Sequence, residues 1–535
     1  MNYIAITIGP IFETILSANS PAGLWCASSI FSHISKEICK EVFDTYRNKG
    51  VFIISPFYYG TKYMVNDGVG RYPDRIFLRI NDGFEEEFNE AKLKSIFENI
   101  ILNLSKEIFK TTKTKKIEDA TEIKNVRDFL KKYIQINYIF FTKKNPEENI
   151  ILEYSYYLDN LELAIGFPKN ADNNPLNKLF YGYEDDGNRY VKKFFLMANT
   201  CQLLEKRDKI KELEDISNNG IKNSEFKKHN YFAVVQADGD NVSQILKDLE
   251  ADKFIDESIN KFSEKCIEYA SNSAEEIGAY GGVTIYAGGD DLLFLAPVEN
   301  SKKENIFDLC ETIRVRFNET FETYIDKAKE KKEKNKNVKI PSVSFGISVN
   351  YERFPLYEAL SDAAGLLFGK AKSHEGKNAI SFNLHKNSIG KFGFTSTNDT
   401  EVLRIFKYLI ERKGIKENNN TPDDISDQVI NSIIYSLENF KKIYSTALKE
   451  KCNMEEMFKN MYDGPEHDLS RTYIGTIRKL LDEIYKDNER IKINSPKVSE
   501  KSKEEEAIDM LLILLRIAKF FSEKEGDREQ LSSDS

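Results

Sequence analysis

Residues 286–291 read Tyr-Ala-Gly-Gly-Asp-Asp, between the apolar runs Val283-Thr284-Ile285 and Leu292-Leu293-Phe294-Leu295. Two β-prone segments joined by paired glycines and paired aspartates describe a hairpin whose tip carries carboxylates. Gly288 and Gly289 permit the tight turn and let a phosphorylated ligand approach the backbone. Asp290 and Asp291 offer the oxygen donors that hard divalent cations such as Mg²⁺ or Mn²⁺ take. Alone, the motif reads equally as an ordinary acidic turn.

A second acidic cluster lies upstream. Tyr231-Phe232-Ala233-Val234-Val235-Gln236 has strand length and runs into Ala237-Asp238-Gly239-Asp240-Asn241. Val242, Ile245, Leu246 and Leu249 then recur at helical spacing. The order is strand, acidic glycine turn, helix, and a helix start suits a triphosphate. Asp238 faces the hairpin tip if the two strands are neighbours; otherwise it is a helix-capping residue. Two acidic strand ends separated by a helical stretch over residues 253–277 fit a palm of the polymerase and nucleotidyl cyclase type. A metal site there would comprise Asp238, Asp290 and Asp291, with Gly239, Asp240 and Asn241 beneath the triphosphate.

A third strand, Val343–Val349, is followed by apolar residues at helical intervals from Leu356 to Ala371. The segment closes on Ala371-Lys372-Ser373-His374-Glu375-Gly376-Lys377-Asn378. This order resembles the GGDEF and cyclase palm, whose last helix ends in a similar Ala-Lys and Gly-Lys-Asn signature. By that resemblance Lys372 and Lys377 meet the far end of the triphosphate as point charges; the bland reading is a solvated surface lysine.

Gly-Gly-Asp-Asp in place of Gly-Gly-Asp-Glu-Phe resembles the large subunit of type III CRISPR RNA-guided effector complexes. The start of the chain agrees with the III-B (Cmr) branch. Ile6-Thr7-Ile8-Gly9-Pro10-Ile11-Phe12-Glu13 is similar to that branch's strand exit, and Gly23-Leu24-Trp25-Cys26-Ala27-Ser28-Ser29 to its first helix. The resemblance covers residues 1–85 and 229–385. It implies a target-RNA-activated nucleotidyltransferase with ATP as substrate and Mg²⁺ or Mn²⁺ as cofactor. A bound 3′-hydroxyl attacks the α-phosphate, and pyrophosphate leaves. The product is a cyclic oligoadenylate or, in branches without the HD nuclease domain, a conjugate of S-adenosylmethionine and AMP. For the latter, Asp67 and Glu153 are candidates to hold the ammonium group of S-adenosylmethionine; otherwise they are turn or surface acids. Implied partners are the other Cmr-type subunits, the guide CRISPR RNA and the target RNA. The competing readings are a catalytically silent scaffold of the same complex and an RNA-independent dinucleotide cyclase.

The family's HD domain needs histidine and aspartate ligands spread over helices. This sequence starts directly at the first palm, and its His467-Asp468 pair has no such constellation around it. Asp468 reads as a helix-start residue, and no DNase activity is expected. Many relatives also carry a zinc element between their palms; none is expected here, because the six cysteines are scattered with no Cys-x-x-Cys. They read as reduced core residues.

Composition bounds the rest. The chain has 535 residues, 41% of them hydrophobic and 30% charged, which suits about three or four compact units. Met510–Leu515 is the longest apolar candidate. Arg516 interrupts it, so it reads as a buried amphipathic helix rather than a membrane span. The first residues lack a basic signal-peptide region, so a cytoplasmic location is expected. A net charge of −9 means that any nucleic acid is gripped by a local patch or by partner subunits. The basic runs Lys110–Lys116 and Lys327–Lys339 read as solvated helix ends or loops.

The expected fold class is a multidomain α+β chain with two ferredoxin-like palm domains of nucleotidyl cyclase type plus helical domains. Residues 1–220 form a degenerate first palm with a helical insertion. It has a helix near 23–48, strands at 51–54 and 75–80, and mostly helix over 85–145. Residues 225–385 form the Gly-Gly-Asp-Asp palm, 400–522 a helical bundle and 523–535 a polar tail.

Overall fold

The computed structural model describes residues 2–16, 18, 20–60, 70–112, 120–143, 145, 148–164, 213–218, 227–386, 390–411, 427–461, 471–487, 490–494 and 501–522. Asp67, the His467-Asp468 pair and residues 523–535 lie outside them.

Four strands build the N-terminal sheet: β1 (Asn2–Gly9), β2 (Val51–Ser55), β3 (Arg75–Ile80) and β4 (Gln135–Thr142), in the order β2-β3-β1-β4. β1 pairs antiparallel with both β3 and β4, and β2 antiparallel with β3. The chain order β-α-β-β-α-β with this pairing is the ferredoxin-like arrangement. A short helix, Ile11–Leu16, comes first, and the helix expected near 23–48 is Pro21–Glu41. Ser20 caps it by accepting from the Gly23 N–H at 3.1 Å, and Pro21 occupies the first turn, where its missing N–H costs nothing. Beyond Glu41 the chain widens into a π turn and then tightens into a 3₁₀ turn ending at Lys49.

β4 corrects the expectation of helix through residue 145. Helices do span Glu90–Thr112 and Ala120–Tyr133. The following Gln-Ile-Asn-Tyr-Ile-Phe-Phe-Thr is β-branched and aromatic and pairs along the whole of β1, from Gly9↔Gln135 to Asn2↔Thr142.

The second sheet contains β5 (Tyr231–Asp240), β6 (Val283–Gly288), β7 (Asp291–Pro297), β8 (Ser342–Tyr351), β9 (Ala379–Lys386), β10 (Gly390–Thr397) and β11 (Ile491–Ile493). Its order is β11-β10-β9-β8-β5-β7-β6. The run β8-β5-β7-β6 repeats the order β4-β1-β3-β2 of the first sheet, so the two palms are copies of one plan. β9 extends the second in parallel with β8, and β10 and β11 follow antiparallel.

Contacts divide the chain into two units interleaved in sequence. One comprises Met1–Asp215, Asp238–Leu295 and Thr312–Ser342; the other comprises Ile216–Ala237, Ala296–Glu311 and Val343–Ser535. The core of the first contains Tyr3, Ala5, Ile54, Phe77, Ile150, Leu158, Ile255 and Ile259. The second holds an aromatic cluster in which Phe307 meets Phe382, Phe394, Phe406 and Phe521. Between residues 401 and 522 the second unit is largely helical, with the short β11 the exception. The apolar run at Met510–Leu515 lies in the helix Lys503–Ser522, whose leucines are buried. No helix among the described residues is long and apolar enough to cross a membrane.

Candidate functional site

The helix Ile255–Tyr280 ends at Gly281 in the left-handed region, and β6 begins two residues later. β6 and β7 pair antiparallel up to Gly288↔Asp291. This leaves Gly289-Asp290 as a two-residue loop with Gly289 at φ 77°, the glycine-first geometry that such hairpins favour. The turn therefore lies one residue further along than the glycine pair itself suggests.

β5 does not end at Asp238, as the acidic glycine turn implied. It runs on to Asp240, so Asp238 projects from within the strand. One carboxylate oxygen from each of Asp238, Asp290 and Asp291 lies within 4.8 Å of the others, and all three residues are half-buried. Gly239 makes this approach possible. A Cβ there would stand 2.5 Å from Asp290 Oδ2 and 2.8 Å from Asp290 Cβ.

The neighbours of the aspartate trio are engaged in the fold. Asp240 is fully buried, and its Oδ2 accepts from Ser342 Oγ at 2.9 Å. Asn241 takes φ 59° and its Nδ2 donates to the Ile340 carbonyl at 3.1 Å. Both side chains thus fasten the turn after Asp238 to residues 340–342. The helix Val242–Asp248 follows directly.

Lys372 and Lys377 belong to the second unit, in the turn between the helical segment Leu356–Ala371 and β9. Both are half-buried, and Lys377 has φ 53°. Glu153 is an exposed residue in the first turn of the helix Ile150–Ala164.

Two residues near the hairpin were not singled out in the sequence. A Cβ on Gly289 would lie 4.0 Å from Cys266 Cβ, so the Cys266 side chain lies against the turn. Burial and the adjacent Asp290 charge hold its thiol well above the ordinary value. Tyr324 is raised by burial and by Cys266. Of the other described cysteines, Cys39 and Cys310 are buried, whereas Cys452 is exposed, which corrects its reading as a core residue.

The donor set suits a hard divalent cation. Three charged carboxylates this close would repel by about 3–4 kcal/mol per pair at an effective dielectric near 20, less where solvent screens them, and a bound cation would relieve that repulsion. Among the described residues this is the one such group of His, Cys, Asp and Glu.

Comparison with known proteins agrees with the two-palm plan. Residues 231–381 match the Cas10/Cmr2 second palm domain, and residues 3–134 match the N-terminal domain of the CRISPR-associated protein Cmr2. The CRISPR system Cmr subunit Cmr2 of Pyrococcus furiosus is 33% identical over 141 residues, which are 25% of this chain and 14% of that protein. The matched stretch thus spans well under two thirds of that relative. Among solved structures, the type III-B Cmr-beta complex in its apo state contains a chain similar at TM-score 0.54 and 10% identity, over 98% of this chain and 82% of that one. The same complex bound to cognate target RNA gives TM-score 0.51 at 11% identity, over 98% and 83%. At such identities these two likenesses speak to the fold. With both family domains matched in order, and with the aspartate trio on the second, the chain belongs to the Cas10/Cmr2 family.

Proposed function

We propose that the chain is the nucleotidyltransferase subunit of a type III-B CRISPR RNA-guided complex. When target RNA pairs with the guide, it makes a signalling nucleotide from ATP. The observation that carries this reading is the convergence of Asp238, Asp290 and Asp291 within 4.8 Å on a palm of this family. These three aspartates would hold Mg²⁺ or Mn²⁺, which when bound supplies Lewis-acid stabilisation of charge on the phosphates. The chain's own contribution is positional. Gly239 lets the hairpin reach β5, and Asp240 and Asn241 lock the turn after Asp238 through Ser342 and Ile340. Gly288 and Gly289 keep side chains away from the tip. Lys372 and Lys377 are proposed to meet the triphosphate as point charges. In this reading a nucleotide 3′-hydroxyl displaces pyrophosphate from ATP, and catalysis rests mainly on positioning.

The product is a cyclic oligoadenylate or an S-adenosylmethionine–AMP conjugate. Asp67 and Glu153 are proposed for the ammonium group in the second case. Other Cmr-type subunits, guide RNA and target RNA are the proposed partners. The deciding experiment uses the assembled complex with guide and target RNA, labelled ATP and Mg²⁺, with and without S-adenosylmethionine. Products are resolved by mass. Adenylate oligomers without S-adenosylmethionine establish the cyclase-type product; a product formed only in its presence establishes the conjugate. Absence of any product that Asp290→Ala/Asp291→Ala removes would leave the scaffold reading.

A further inference from the structure

The outer edge of the hairpin carries a contact that the proposed chemistry does not use. β6 is the last strand of its sheet. On the side away from β7, the Ala287 N–H donates to the Gly70 carbonyl at 3.0 Å, and Gly70 and Tyr286 form an isolated parallel bridge. Gly70 belongs to the chain between β2 and β3, so the N-terminal palm supplies one rung to the strand that carries the glycine pair.

That rung adds a backbone bond to a hairpin already held by the helices Ile255–Tyr280 and Pro21–Glu41 packed on β6 and by β5 beside β7. The β6–β7 register shifts between Thr284 and Tyr286. Beyond the shift only Tyr286↔Leu293, Ala287↔Leu292 and Gly288↔Asp291 remain before the turn. The irregularity locally disrupts the ladder between β6 and β7, and an edge strand gains from a partner on its open side. The donor of the rung, Ala287, lies directly before Gly288.

The segment offering the rung is itself fastened. The Tyr72 N–H donates to Ser32 Oγ at 2.9 Å, on the helix Pro21–Glu41, and the intervening Arg71 is buried. Gly70 lies so close to that helix that a Cβ would stand 3.0 Å from Ser28 Oγ and 3.3 Å from Ser32 Cβ. A side chain there must push the segment off the helix or off β6.

We propose that Gly70–Tyr72 is a strap from the N-terminal palm that positions the Gly-Gly-Asp-Asp hairpin and so sets the spacing of its two aspartates from Asp238. Gly70 acts through its carbonyl, Ser32 by anchoring the strap, and Ser28 by the closeness of its hydroxyl. They are positioning residues that need touch neither nucleotide nor cation. What the aspartates do once positioned rests on the function proposed above; the strap itself does not.

The test uses the full-length chain and two readouts independent of product formation: hydrogen exchange at the Ala287 amide, and Mn²⁺ affinity measured by titration without nucleotide. In Gly70→Val, Ala287 exchange rises by about tenfold or more and Mn²⁺ binding weakens by about fivefold or more, with exchange in β1 and β3 unchanged. Gly70→Ala shows a smaller form of both effects, and adding Ser28→Ala to it restores both by removing the hydroxyl. Wild-type Ala287 exchange and Mn²⁺ affinity in folded Gly70→Val would overturn the strap. If Gly70→Val does not fold, Gly70→Ala alone and with Ser28→Ala decide by the same readouts. Should Asp238→Asn leave Mn²⁺ affinity unchanged, the metal reading fails, while Ala287 exchange still judges the strap.

Discussion

Three carboxylates drawn together, as at Asp238, Asp290 and Asp291, are worth more to a ligand than to the fold. Asp291→Asn is expected to abolish cation-dependent product formation. It should also raise stability without Mg²⁺ by about 1 kcal/mol, because one repulsive charge is lost. Thermal melts with and without Mg²⁺ check this: the wild type should gain from the cation and the variant should not. Gly239→Ala places a Cβ where Asp290 stands, and should lower turnover by about 10²-fold, the cost of an ångström-scale misplacement; turnover of the folded variant is the measurement. The same paragraph of sequence that exposes Asp238 misleads about Asp240. An acid beside glycine reads as a ligand-facing group, whereas Asp240 is buried and its partner Ser342 lies 102 positions away, and no local pattern announces a pairing at that distance. A second carboxylate hidden in this way is Asp362. It accepts from His385, Ser348, Asn383 and Lys391. Although burial opposes its ionisation, these donors hold the carboxyl well below its ordinary value of 3.8. The folded form thus binds its proton less readily than the unfolded chain. The stability it contributes is complete above pH 3.8 and is lost as pH falls below that value. Asp362→Asn should cost about 3 kcal/mol at neutral pH and flatten the acid limb of the stability profile, as denaturant titrations from about pH 2 to 7 will show.

Elements show where local pattern suffices and where it fails. β5, β6, β7 and β8 stand out because apolar runs of strand length stop at glycine or acidic residues. The helix Ile255–Tyr280 stands out because its buried residues recur with helical spacing. β4 was hidden because a continuous apolar stretch after a helix has no period to separate it from more helix; pairing along β1 decides it. One contact set joins the helix Ile255–Tyr280 to the N-terminal sheet. Asp256, at the start of the helix Ile255–Tyr280, accepts from Lys143 at 2.6 Å, from Arg79 at 3.0 Å and from the Tyr3 hydroxyl at 3.1 Å. Burial and that carboxylate push the Tyr3 phenol up, so it stays protonated and donates. Asp256→Ala leaves the buried Lys143 ammonium without this carboxylate, while Arg79 keeps Glu257 at 3.1 Å, and is expected to destabilise the protein by about 3 kcal/mol. Asp256→Asn should cost less, since the amide oxygen still accepts; urea unfolding of the two variants checks the order.

At the scale of the molecule, a net charge of −9 sets the terms of any RNA contact. Lys327–Lys339 is an exposed lysine-rich stretch, and within it Lys331 is paired with Asp248 at 2.9 Å. The isolated chain should therefore bind RNA weakly and lose that binding steeply between ~50 and ~200 mM salt; filter binding across that range is the check. Interleaving of the two units has a consequence for synthesis on the ribosome. Unit one needs residues up to Ser342, and unit two draws on residues from Ile216 to the C-terminal stretch. At roughly 5–20 residues per second, the nascent N-terminal palm waits on the order of tens of seconds before its last segment emerges. During that interval β1 and its neighbours are exposed without the helix Ile255–Tyr280 that completes their core. The nascent chain is thus an early client for holding chaperones, and the Gly-Gly-Asp-Asp hairpin is among the last parts of its unit to be secured.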